Sequence, residues 1–131
     1  MLFESLFRHA DQQPHQPAVV DDTGTYTWQQ YAAAAAGLGM YLSFQTDRTR
    51  VGLLLPASMG FAASFYGTLL AGKTVVPINF LLGDREVQHI IADSGIDTIV
   101  SMSLSLMMCC TSRSPSRKLI GTTVLPASSV P

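Results

Sequence analysis

Charge is what this chain has least of. Of its 131 residues, 13% are Asp, Glu, Lys or Arg, about half the usual share in a globular domain. So sparse a charged surface suits a piece that packs against a partner, or against more of its own fold, better than a free-standing monomer. The charge is also uneven. Five basic residues face nine acids through Ser101, a balance of −4, whereas Arg113, Arg117 and Lys118 follow with no further acid, giving +3. Neither part is basic enough for an electrostatic footprint on nucleic acid, and no aromatic residue interleaves with the three late cations. No nucleic-acid partner is expected.

Cysteine is nearly absent. Cys109 and Cys110 are adjacent, so they cannot staple distant segments, and no second pair exists to build a metal site. They read as reduced thiols of a cytoplasmic chain. His9, His15 and His89 have no ligand spacing and read as surface or helix-face residues. The N-terminus carries an early acid, Glu4, and no continuous apolar run; it is not a secretory signal. One stretch without charge is long: the 22 residues from Val51 to Gly72 would suffice to cross a bilayer. Pro56, Ser58, Ser64, Tyr66 and Thr68 interrupt it, and a buried strand followed by a buried helix explains the same residues. No membrane span is expected.

The remaining pattern alternates. Phe3, Leu6, Phe7 and Ala10 share one helical face, ended by Pro14 and Pro17. Ala18–Asp21 and Thr25–Thr27 read as a hairpin around Asp22-Thr-Gly24. Thr27 and Gln30 form a capping box for a helix carrying Trp28, Tyr31 and the alanines to Ala36, running to about Ser43. Gly37 and Gly39 weaken its second half. Val51–Leu55 is a strand without alternation, as expected when both faces are covered. A helix then starts at Ser58 or Met59, with Phe61, Phe65, Leu69 and Leu70 as its apolar stripe and Gly72 as its stop. Thr74–Ile78 is the next strand. A further helix follows, with Val87, Ile90 and Ile91 inward and Asp84 and Glu86 in its first turn. Ile96–Val100 is the last clear strand. The alternation predicts an α/β layer of mostly parallel strands.

The wording of four segments goes further. Asp21-Asp-Thr-Gly-Thr-Tyr-Thr-Trp-Gln-Gln-Tyr31, Val51-Gly-Leu-Leu-Leu-Pro56, Ala71-Gly-Lys-Thr-Val-Val-Pro-Ile-Asn79 and Asp93-Ser-Gly-Ile-Asp-Thr-Ile-Val100 stand in the order and spacing of the adenylate-forming enzymes. Over about Leu2 to Ser101 the chain resembles the opening region of these acyl-CoA synthetases, peptide-synthetase adenylation domains and luciferases. The resemblance implies activation of a carboxylic acid by ATP, with Mg²⁺, and in many members transfer of the acyl group to a thiol such as coenzyme A. It also implies that the groups doing this lie downstream. In the family they come from a Ser/Thr/Gly-rich loop ending in Pro-Lys-Gly, a Tyr-Gly-x-Thr-Glu segment, a Thr-Gly-Asp segment and a C-terminal lysine.

None of these appears here. Gly121-Thr-Thr123 is a poor phosphate loop, since no glycine follows Thr123 and no Lys-Gly pair follows Pro126. Lys73 reads as a solvated turn residue. Asp84, Glu86, Asp93 and Asp97 resemble helix-end charges, and Asn79 a residue fixing the turn after its strand. No catalytic, cofactor-binding or metal-binding residue is therefore expected, and no cofactor for this chain by itself; ATP, Mg²⁺ and coenzyme A belong to intact relatives.

After Ser101 the grammar changes to Ser, Thr and Pro punctuation without a helical stripe. Residues 102–131 read as a low-complexity, disordered tail, with a shifted reading frame near Ser101 preferred over a naturally flexible end. Residues 1–101 read as a partial N-terminal domain of an acid-activating ligase, truncated and inactive alone. A non-catalytic module docking to a full-length or split ligase is the alternative, and a small membrane-associated protein a third reading. Phe61, Phe65 and Leu69 are expected to stay partly uncovered, favouring self-association or docking to the ligase remainder.

Overall fold

The computed structural model describes residues 2–79, 81–96, 98–103 and 106–111, with side chains through Ser101. Helix α1 (Leu2–Gln12) leads into a hairpin of β1 (Pro17–Asp21) and β2 (Gly24–Thr27), paired antiparallel. Helix α2 (Trp28–Gln45) follows directly. Its capping box is formed: Gln30 N–H donates to Thr27 Oγ1 at 3.3 Å, and Thr27 N–H donates to Gln30 Oε1 at 2.9 Å.

The second part is wound around one sheet. Strand β3 (Arg50–Leu54), helix α3 (Met59–Leu70), strand β4 (Thr74–Pro77), helix α4 (Asp84–Ser94) and strand β5 (Thr98–Ser103) alternate. Strand β6 (Leu106–Thr111) returns beside β5. The order is β4-β3-β5-β6, with β3 parallel to β4 and β5, and β6 antiparallel. Because β4 and β5 flank β3 on opposite sides, the two crossovers place α3 and α4 on opposite faces.

Side-chain alternation along β3 shows both faces. Val51 and Leu53 join Val100, Leu42 and Leu55 in one core cluster, with Phe61, Phe65 and Val75 against it. Leu54 and Val76 pack into the other, built from Ile78, Val87, Ile91, Ile96 and Ile99. Each fully buried Leu, Ile or Val side chain here stabilises the fold by about 1.5–3 kcal/mol. A strand apolar on both sides is thus explained by two layers of helix.

Phe61 and Phe65 pack against the β3 cluster and, like Leu69, stay half-buried as expected, but the most deeply buried face of α3 is a run of small residues, Ala63, Ser64, Gly67 and Thr68. Gly39 is not merely a weak spot in α2. A Cβ there would lie 2.7 Å from Gly67 O, and one on Gly67 would lie 2.9 Å from Ala35 O. The two helix backbones approach too closely for any side chain between them. Beyond Val100, β5 runs on to Ser103, and Leu106–Thr111 pair with it as β6. An uncharged run free of Pro and Gly can extend beside an open strand. Gly121-Thr-Thr123 and the three late cations lie outside the described residues.

The long uncharged stretch is divided as strand, turn and helix. Its helix, α3, has 12 residues, a length of about 18 Å at 1.5 Å per residue, well short of a hydrocarbon core of about 30 Å. Among the described residues no helix is long and apolar enough to cross a membrane.

Candidate functional site

In a sheet wound both ways, ligands sit beyond the carboxyl ends of the parallel strands, where helix N-termini offer free N–H groups. Here those positions are already taken. At the start of α3, Ser58 Oγ accepts from Phe61 N–H at 3.2 Å. Asp21, reaching across from the hairpin, accepts from Met59 N–H at 2.8 Å through Oδ2. Its other oxygen accepts from the Thr23 N–H at 2.8 Å and from the Thr23 hydroxyl at 2.6 Å. Hydrogen bonds from Thr23, then from Met59, hold the Asp21 carboxyl below the usual carboxylate range. The α3 N-terminus carries an internal anion where a phosphate would otherwise fit.

The other ends are used similarly. Asn79 Oδ1 accepts from Leu81 N–H at 3.0 Å, holding the turn after β4 as its sequence position suggested. At α4, Glu86 Oε2 accepts from Gly83 N–H at 3.0 Å, and Asp84 shares the first turn. Asp93 is exposed on the same helix, and Asp97 lies outside the described residues.

The cations close helix C-termini. Lys73 is half-buried, and its Nζ donates to Thr46 O and Arg48 O, both at 2.8 Å. Thr46 is the C-cap of α2, so the ammonium meets the negative end of that helix dipole. The reading of Lys73 as a solvated turn residue is corrected: it ties the end of α2 to the start of β4. Arg50 donates from Nη1 to Ser94 O at 2.9 Å, at the end of α4.

His9 packs its ring on Trp28 with centroids 4.7 Å apart, and its Nδ1 lies 2.7 Å from Ser5 O. The ring contacts continue through Tyr31 and Tyr66. Burial, and secondarily Tyr66, pushes the Tyr31 hydroxyl far above its ordinary value. No group of three or more His, Cys, Asp or Glu among the described residues is placed to hold a metal ion. The donor set does not fit a magnesium–triphosphate site either, because Asp21 and Glu86 are engaged by backbone N–H groups at helix starts. An open, largely apolar groove of about 440 Å³ runs along α4 between Leu82, Arg85, Glu86, His89 and Ile90.

Sequence reasoning placed the charged side chains at helix ends but missed the partners of Asp21 and Lys73. The Asp21-Asp-Thr23 turn was the visible signal for the first. Nothing in the sequence links Asp21 to Met59, which lies 38 residues away.

The model of the AMP-binding enzyme family matches residues 6–127, past the Ser101 limit expected for the resemblance. Syringomycin synthase SyrB1 of Pseudomonas syringae is 34% identical over 107 residues, covering 80% of this chain and 17% of that protein. A long-chain-fatty-acid–CoA ligase of Escherichia coli is 31% identical over 106 residues, covering 79% of this chain and 18% of its own. Among solved structures, the nonribosomal peptide synthetase FmoA3, bound to α-methyl-L-serine-AMP, superposes with a TM-score of 0.76 at 26% identity. That superposition covers 98% of this chain and 14% of FmoA3. The chain thus spans under a fifth of the curated relatives it matches, in their N-terminal part. These matches lend no support to a separate docking module.

Proposed function

This chain belongs to the AMP-binding enzyme family, and from that premise we propose that it supplies the N-terminal scaffold of an ATP-dependent acid-activating ligase. In that reaction a carboxylate oxygen attacks the α-phosphorus of ATP, giving acyl-AMP and pyrophosphate. A thiol then displaces AMP to form a thioester. The observation carrying the reading is the family match over residues 6–127 of a chain that aligns with only 17–18% of its relatives.

The scaffold holds together one corner of the larger enzyme, and the phosphate, magnesium and acid contacts come from polypeptide beyond these 131 residues. The sequence contains no Pro-Lys-Gly, Tyr-Gly-x-Thr-Glu or Thr-Gly-Asp segment. Without donors around the phosphates, the charge developing on the transferred group is left to water. The chain by itself therefore does not activate acids. Relatives of both the CoA-ligase and peptide-synthetase kinds support acid activation equally, so fatty acid metabolism is one setting and amino-acid activation another. Two adjacent thiols without a disulfide framework favour the cytoplasm.

ATP–pyrophosphate exchange over a panel of fatty, aromatic and amino acids tests this. The expected result is exchange only when the chain is mixed with a polypeptide covering the rest of a relative. Exchange by the chain alone would overturn it.

A further inference from the structure

We draw no further inference here: the strongest candidate, the open apolar groove along α4 between Leu82, Arg85, Glu86, His89 and Ile90, carries nothing because nothing in the structure shows what covers it in a chain that spans under a fifth of its relatives.

Discussion

The carboxylate of Asp21 sits 2.8 Å from the backbone nitrogen of Met59, so a hairpin residue closes the N-terminus of a helix in the other half of the fold. This contact adds a polar link between the hairpin and the β3–α3 unit to the packing of α2 on α3. Its loss has a pH signature. The folded carboxyl titrates below its unfolded value of about 3.9, held down by Thr23 and Met59. Its contribution is present above the unfolded value and is lost as pH falls through the folded one. Urea midpoints should fall between pH 6 and pH 3 in the wild type, and fall less in Asp21→Asn. An equal fall in both would refute the role.

Glycines of α2 should respond in opposite directions. Gly39→Ala places a methyl against Gly67 O and Leu70, and overpacking of this kind costs about 1–3 kcal/mol. At Gly37 a Cβ meets nothing within 4 Å, so Gly37→Ala should stabilise by about 0.5–1 kcal/mol through helix propensity. Denaturant titration of both variants reads the sign directly.

Lys73→Met keeps most of the aliphatic stem and removes the ammonium that Thr46 O and Arg48 O accept from. A charged hydrogen-bonding group at a half-buried site is worth about 1–2 kcal/mol after allowance for solvent. The variant should unfold earlier by that amount, and Lys73→Arg should recover part of it. No loss in either variant would return Lys73 to the role of a solvated residue.

Tyr31 should be the last of the four tyrosines to ionise. Burial raises its folded value above the unfolded one of about 10. The stability this reflects is complete below the unfolded value and is lost as pH rises toward the folded one. Absorbance at alkaline pH should show one tyrosine titrating only as the protein unfolds, and Tyr31→Phe should abolish that phase.

Much of the local structure was legible because it rests on short-range chemistry. The Thr27–Gln30 box, the Gly72 stop at φ 73° and the inward Val87 and Ile91 of α4 all follow from spacing within a few residues. The α3 stripe was read incompletely: Phe61 and Phe65 do pack on the β3 cluster, but close packing of two helices also selects for small size at Ala63, Ser64 and Gly67. That selection depends on α2, and no window of the α3 sequence contains it.

By itself, then, the amino-acid order determined the alternation of elements, the family and the dearth of charge, because propensity, capping and wording are local properties of a chain. The fold alone decided how the few charges are used. Asp21, Lys73 and Arg50 meet helix ends 27 to 44 residues away, and only the crossing of β3 by its two neighbours brings those ends within a hydrogen bond.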